Sequence, residues 1–563
     1  MTQRLLLVAA IAVFAWPDVA RAIGMPQAYA PVTIAFAILV VVLTVSSSQT
    51  GARTTRIWRP SRLAWPAIVA LVALAVAAYR WTLIAAWRPY GADMLIVIRE
   101  ATRRMLSGHS PYTVYRSYDT SWEMAMPYGP MLWGPYLAAQ LWHIDLRLVA
   151  IVGELTVPAW CGAVAALEAA RGRALSAASW LLVATAILSM LDVQGFTLIG
   201  HTPVYWPLFP LFAIAIARER WIAAAVVLGL LVAARTTMVA MVPVFVIAVW
   251  RADRSRVWLA LVAMAAACAI TLAPFALANP RSVWDQMVAS YPRIMREAVW
   301  PVLAKPGLET IGVTEWLIER GRDALIVPVQ IGALLAVYAA AWIAIARGRR
   351  PLPWMALALF VFSMTTLYTV HYLYYDVLLL FACGAIAEAW PRTDGRLALA
   401  WGGTIAAAAI LVFACMRLIA SPAPDMIVGA ASSDRLLRLG FSGVEHDGGR
   451  GFAWITGHEA HIALPRSSSA DADLVLIGES ALPASGPPQR VTALVNGVLA
   501  ANTDVPAGRT AIRVAVPHRA WWCGFNDVQL VFTSTLSPHD AGAGEDRRPL
   551  AMAIDRVTVA PRW

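Results

Sequence analysis

Charge is scarce in this 563-residue chain: Asp, Glu, Lys and Arg together make up 14% of it, while 60% is hydrophobic. A soluble protein of that length could not hide so much apolar surface, which excludes an ordinary soluble globular class. Cysteine is scarce too. Cys161, Cys268, Cys383 and Cys415 lie in or beside apolar runs, and Cys523 stands alone near the C-terminus. That leaves no disulfide framework and no zinc cluster. The chain has no Walker loop, no Gly-x-Gly-x-x-Gly fingerprint and no nucleophile elbow, so use of a soluble nucleotide sugar or of ATP has no support. No cofactor and no metal is called for. The net charge of +11 does not argue for nucleic acid, because the arginines sit in short loops between apolar runs. That is the positive-inside pattern of membrane proteins.

What the chain does have is hydrophobic length. A helical span needs about 20 apolar residues, and such runs recur from Leu5 to about Met416. Candidate spans are 4–23, 30–47, 65–86, 147–169, 174–191, 197–217, 221–235, 236–250, 257–277, 326–346, 353–370, 372–389 and 397–417. Segment 130–143 is apolar but short, and reads as a re-entrant or in-plane piece. The expectation is a polytopic α-helical membrane protein with about 12–14 transmembrane segments. Arginine groups at Arg53–Arg62, Arg171/Arg173, Arg218/Arg220, Arg251–Arg256, Arg347–Arg350 and Arg392/Arg396 mark the cytoplasmic loops. On that orientation 88–128, 192–203, 279–325 and everything after about 418 face outside. The first segment has a second reading as a cleavable signal peptide, from Arg4, the run at Leu5 and Ala20-Arg21-Ala22. The chain thus divides into two leading segments (1–63), a membrane domain (64–420) with its large outer loop at 88–128, and an extracytoplasmic domain (421–563).

The last domain reads as strands. His461–Pro465, Asp473–Ile477, Arg490–Val495, Ala511–Val516, Asp527–Phe532 and Met552–Val559 are β-branched or alternating runs, and Asn496-Gly497 between Val495 and Val498 is a hairpin turn signal. Short strands at this spacing predict a β-sandwich or jelly roll. Trp454, Trp521, Trp522 and Phe525 either stack on sugar rings or fill the core or membrane interface.

Chemistry at membrane depth, or at the mouth of a helix bundle, falls to ionisable residues. The first outer loop holds the densest set: Asp93 follows Arg88-Pro89-Tyr90-Gly91-Ala92, and the stretch 94–105 is amphipathic. Met94, Val97, Ile98, Ala101 and Met105 share a face, with Arg99, Glu100, Arg103 and Arg104 away from it, as in a helix lying along a membrane surface. Gly108 is its stop. His109, Tyr112, Glu123 and Tyr128 follow. Asp93 is either a general base for an attacking sugar hydroxyl or a helix N-cap. Arg235 interrupts the apolar stretch 221–250, so it is either the partner of a lipid phosphate or an arginine snorkelling from a span end. His201 and His371 fall on the same outer face as Asp93, as catalytic groups or as structural histidines.

Together these residues resemble the GT-C membrane glycosyltransferases, most closely glycosyltransferase family 87, whose members use polyprenyl-phosphate mannose. The likeness rests on Asp93 after an early span, on Leu106-Ser107-Gly108-His109-Ser110-Pro111-Tyr112, and on Pro127-Tyr128-Gly129-Pro130 before an apolar run, and covers about 65–417. The family's Gly-Gln, Lys-Pro and Trp-x-His-His elements fall on Gly200-His201, Arg235-Thr236 and Val370-His371-Tyr372, each with a substitution. The resemblance implies inverting transfer of mannose or a similar sugar at the outer face. The donor is a polyprenyl-phosphate sugar entering from the bilayer, and the acceptor a glycolipid, glycan or protein. It implies Asp93 and His371 as catalytic, Arg235 and His201 at the donor phosphate, and Tyr112, Glu123, Tyr128 and Arg99 at substrate. Related GT-C enzymes, such as mycobacterial arabinosyltransferases, carry carbohydrate-binding β-domains. Two other classes compete. A transporter or flippase of lipid-linked sugars predicts internal repeats, and the chain has none. A non-catalytic receptor built around the β-domain predicts that Asp93→Ala is harmless.

Overall fold

A computed structural model of the chain describes residues 2–22, 29–48, 93–115, 124–190, 202–300, 312–367 and 373–390. From 402 to 562 it describes all but 404, 411–413, 415–419, 422, 431–435, 438 and 487. The described residues form two units: one holds the helices, the other Ala138–Leu148 together with the residues from 414 onward.

Ala, Leu, Val and Ile fill the helices of the first unit: α1 (Thr2–Ala22), α2 (Tyr29–Ser48), α3 (Asp93–Leu106), α4 (Arg147–Ala170), α5 (Ala174–Ser189), α6 (Leu208–Ala217), α7 (Trp221–Ala234), α8 (Val242–Ala252), α9 (Val257–Ala278), α10 (Ile326–Ala346), α11 (Leu352–Thr365) and α12 (Tyr375–Ala389). Among the described residues three helical stretches are long and apolar enough to cross a membrane: Arg147–Ala170, Arg254–Ala278 and Asp323–Ala346. The first is 78% buried inside the protein over its apolar window, whereas the other two are 17% buried. Helices α9 and α10 therefore turn bands of large apolar side chains outward, among them Trp258, Leu259, Ile270, Leu277, Ile331 and Leu335. Seven further apolar helices are shorter. The predicted span 65–86 lies outside the described residues, as does most of 397–417.

Segment 130–143 is not one continuous helix. It makes two short ones, Pro130–Trp133 and Pro135–Leu141, broken where Gly134 and Pro135 meet. Helix α3 is buried in the protein more deeply than its one apolar stripe predicts. Leu95, Ile96, Val97 and Ile98 are all buried, as are Arg99 and Thr102, so the helix is enclosed on several sides rather than on one apolar stripe. It stops at Gly108, whose φ of +80° suits glycine, with the His109 N–H on the Arg104 carbonyl at 2.9 Å.

The second unit is a sandwich of two antiparallel sheets. One has the order β2-β3-β10-β5-β8 with β1 added on β10, and the other β4-β9-β6-β7. The strands are β1 (Asp425–Ile427), β2 (Glu445–Asp447), β3 (Arg450–Thr456), β4 (Glu459–Arg466), β5 (Ala472–Ser480), β6 (Gln489–Val495), β7 (Val498–Val505), β8 (Arg509–Val516), β9 (Gly524–Phe532) and β10 (Leu550–Pro561). From β3 to β10 successive strands alternate between sheets except at the β6–β7 hairpin, in the order of an eight-stranded jelly roll. Alternate residues of both sheets, such as Ile462, Leu474, Val491, Val514, Leu530 and Val557, meet in one core. Each large aliphatic side chain there stabilises the fold by roughly 1.5–3 kcal/mol. Asn496 and Gly497 take φ of 51° and 72°, the left-handed pair of a tight hairpin turn, and join β6 to β7 in register Val495↔Val498.

Ala138–Leu148 joins this second unit, although the sequence places it with the helices. Ile144 bridges Cys523 in parallel, and the Asp145 carboxylate accepts from the Phe525 N–H at 3.1 Å. Arg147 grips the same carboxylate through Nε and Nη2 at 3.0 and 2.7 Å, and both side chains are fully buried. Gly524, at φ +135°, leaves room for this: a Cβ there would lie 2.4 Å from the Asp145 Cβ.

Candidate functional site

The break that seats Arg235 is written locally. Pro243 has no N–H, and its ring clashes with the carbonyl four residues earlier, so α7 cannot run on into α8. Instead α7 ends at Ala234, Arg235 is extended (φ −145°, ψ 121°), and a 3-10 turn spans Thr236–Met241 before α8 begins with Pro243 in its first turn. Arg235 is thus a cation at a helix C-terminus, where the helix dipole favours positive charge.

Its surroundings come from two other elements. A 3-10 turn, Thr202–Tyr205, presents Tyr205 and Trp206, both buried. Helix α12 presents Asp376 in its first turn, where the dipole favours negative charge. The Arg235 guanidinium donates from Nη1 to the Tyr205 hydroxyl at 2.9 Å. That hydroxyl donates to Asp376 Oδ2 at 2.7 Å, and Trp206 Nε1 donates to Oδ1 at 3.2 Å. Both carboxylate oxygens therefore act as acceptors, the arrangement of an ionised Asp376. Arg235 Nη1 lies 3.6 Å from Oδ2, with side-chain exposures of 11% for Arg235 and 2% for Asp376. A nearly buried arginine and a buried carboxylate from distant parts of the sequence share one tyrosine hydroxyl.

The loop after α3 reaches the same place. At Gly129 a Cβ would stand 1.8 Å from the Ala233 carbonyl oxygen, so the backbone of Tyr128-Gly129-Pro130 lies directly on the last turn of α7, two residues before Arg235. Tyr112 is buried, and its hydroxyl donates to the Tyr128 carbonyl at 3.3 Å. Its ring meets Phe275 edge-on at 5.4 Å. Burial pushes the Tyr112 hydroxyl well above its ordinary range, against a smaller opposing effect of Trp133. The Met126 N–H donates to Gln286 Oε1 at 3.2 Å, and Ser282 donates to the Tyr112 carbonyl. Tyr115 and Met124 exchange backbone hydrogen bonds at 2.8 Å across residues 116–123. Arg99 pairs with Glu100 at 3.0 Å.

Of the residues singled out in the sequence, Tyr112 and Tyr128 are joined to each other, and the Tyr128 segment is joined to the helix end carrying Arg235. Asp93 begins α3, and its side chain lies outside what is described. Glu123, His201 and His371 lie outside the described residues altogether. The sequence reading missed Tyr205, Trp206 and Asp376. Asp376 carried a usable signal, since it is a carboxylate inside the apolar run 372–389, and the rule that picks out Arg235 picks it out equally.

In the second unit, Trp521, Trp522 and Phe525 are buried core residues, which removes them as sugar-stacking platforms; Trp454 is half-buried. Arg466, buried over the Trp521 ring at 4.8 Å, has its pKa pushed down to about 10 by burial, against weaker opposing effects of Cys523 and Asp471. Among the described residues no group of three or more His, Cys, Asp and Glu is placed to hold a metal ion. No family model, no curated protein and no solved structure matches the chain.

Proposed function

We propose that this chain is a polytopic membrane glycosyltransferase of the GT-C kind, moving a sugar from a polyprenyl-phosphate donor to a glycolipid, glycan or protein acceptor at the outer face of the membrane. The outward apolar bands of α9 and α10 suit contact with lipid chains, which accept surface that water does not. The jelly roll follows as an extracytoplasmic domain.

One observation carries the reading. A guanidinium, Arg235, is held nearly buried at a helix break, two residues after Ala233, whose backbone Gly129 of the Tyr128-Gly129-Pro130 segment touches. An arginine so placed presents paired N–H donors suited to a phosphate, and that segment leads back to Asp93 at the start of α3. In the reaction, the acceptor hydroxyl oxygen attacks the anomeric carbon and Asp93 takes the hydroxyl proton. The bond from that carbon to the phosphate oxygen breaks, and polyprenyl phosphate leaves with the electron pair. Arg235 offsets the charge gathering on the phosphate, with His371 and His201 assigned to the same region by the resemblance.

The test is a glycolipid and cell-envelope profile of a strain lacking the protein, complemented with wild type or Asp93→Ala. A missing sugar linkage restored by wild type and not by Asp93→Ala, at equal protein level, is the expected result. Full restoration by Asp93→Ala sinks the enzyme reading and favours a receptor or transporter.

A further inference from the structure

A cation meant to hold an anion is here already balanced by one. Asp376 lies 3.6 Å from Arg235, and its carboxylate does not depend on the arginine for hydrogen bonds. Tyr205 serves Oδ2 and Trp206 serves Oδ1. Arg235, for its part, donates to the Tyr205 oxygen rather than to the carboxylate. The negative charge is therefore built to stay when a ligand engages the arginine. If Asp376 served only to anchor Arg235, a direct two-pronged pair would do so more strongly. Such a pair is what Arg147 and Asp145 make in the same chain.

We infer that Asp376 is a specificity-determining residue that sets how many charges the Arg235 site accepts, favouring a singly charged phosphodiester over a doubly charged phosphomonoester. The inference rests on the reading of Arg235 as the grip on a lipid phosphate. A polyprenyl-phosphate sugar is a diester with one negative charge. The polyprenyl phosphate left after transfer is a monoester, which carries up to two charges because its second ionisation falls near pH 6. Against Arg235 alone the second charge would be attractive, and the product would bind more tightly than the donor. Against a neutral Arg235–Asp376 pair that advantage is cancelled. A phosphate on the guanidinium stands within about 7 Å of the carboxylate, and at the effective dielectric of such sites one extra charge at that range is worth tenfold or more in affinity. Asp376 thus disfavours the doubly charged spent carrier more than the singly charged loaded one, and so speeds departure of the product relative to the donor.

The experiment uses the full chain in lipid nanodiscs at pH 8 and two probes with the same lipid tail, a short polyprenyl monophosphate and its methyl diester. Wild type is expected to bind the two within threefold of each other. Asp376→Asn is expected to tighten both probes, and to tighten the monophosphate at least tenfold more than the methyl diester, because the monophosphate carries one charge more. Equal tightening of both probes, or no change in either, overturns the inference. So does a tenfold preference of wild type for the monophosphate, a measurement that needs no variant to fold. Arg235→Leu separates the two levels of the argument: loss of binding for both probes upholds the phosphate grip whatever Asp376 does, and unchanged binding of both ends the grip and the inference together.

Discussion

The hydroxyl of Tyr205 stands between Arg235 and Asp376, accepting from the guanidinium at 2.9 Å and donating to the carboxylate at 2.7 Å. Tyr205→Phe removes that hydroxyl and leaves a buried donor and a buried acceptor each short of a partner, at a cost of about 1–3 kcal/mol. The remaining way to recover is for Arg235 to close the 3.6 Å gap to Asp376. The arginine is then drawn off the position from which it meets a phosphate. The expected outcome is a rise of about tenfold in KM for a lipid-phosphate donor, equivalent to about 1.4 kcal/mol, with a smaller change in kcat. Initial rates against donor concentration measure both. An unchanged KM would make Tyr205 a packing residue only.

Gly129→Ala tests whether the loop and the helix end act as one piece. The added methyl would lie 1.8 Å from the Ala233 carbonyl oxygen, far inside contact distance, and backbone cannot rotate away as a side chain can. Overpacking of this kind costs about 1–3 kcal/mol or more. A fall in the thermal midpoint of the purified full chain is expected, together with weaker binding of a polyprenyl phosphate, since the displaced turn carries Arg235. Gly108→Ala is the control: nothing lies within 4 Å of a Cβ there, so only the strain of its positive φ acts and phosphate binding is expected to stay.

Much of this architecture was legible before any coordinates, and the reasons differ by element. Six strands were readable because Val, Ile and Leu alternate through β4, β5, β6, β8, β9 and β10. β7 was not read as a strand of its own, since Ala500-Ala501-Asn502 has no β-branched residue to mark it. The Asn496-Gly497 turn was readable because few dipeptides accept two left-handed residues in a row. The break at Arg235 was readable from a charge inside an apolar run. Its partner went unnamed because pairing across 141 residues is set by how α6 packs against both α7 and α12, which periodicity does not reveal. For helix α3 the hydrophobic pattern reports one apolar face, whereas the structure encloses Arg99 as well. The aromatic residues of the jelly roll were ambiguous for a similar reason: Trp521 and Trp522 are adjacent, so alternation predicts that one faces out, yet both are buried.

The edge strand β1 offers a pH test away from the helices. Arg556 holds Asp425 through two hydrogen bonds at 2.9 and 2.6 Å, and those bonds, ahead of a smaller opposing effect of burial, keep the Asp425 carboxyl below its ordinary range. A carboxyl whose folded pKa is depressed stabilises the fold at pH above its unfolded value, near 3.9. That contribution is lost as pH falls through the folded value. Both side chains are nearly half exposed, so salt screens the pair. Hydrogen exchange at residues 425–427, corrected for intrinsic rates, is expected to quicken between pH 5 and pH 3 and to do so less in 1 M salt. Asp425→Asn is expected to remove the step.

The Asp145–Arg147 pair allows the strongest stability prediction, because both partners are fully buried. Taking one member from a buried pair leaves the other charged without compensation, which costs about 3–5 kcal/mol, whereas replacing both by apolar or neutral groups of similar size is often close to neutral. Asp145→Asn keeps the shape and one acceptor for the Phe525 N–H, yet takes from the buried Arg147 guanidinium the carboxylate charge that it grips. It is expected to raise hydrogen exchange across 459–466 and 520–532, where β4 and β9 pair. Adding Arg147→Met removes the buried positive charge and is expected to bring exchange most of the way back. If the double variant is as labile as the single one, the pair acts through its hydrogen bonds rather than through charge, and the electrostatic account of how Ala138–Leu148 is held would be wrong.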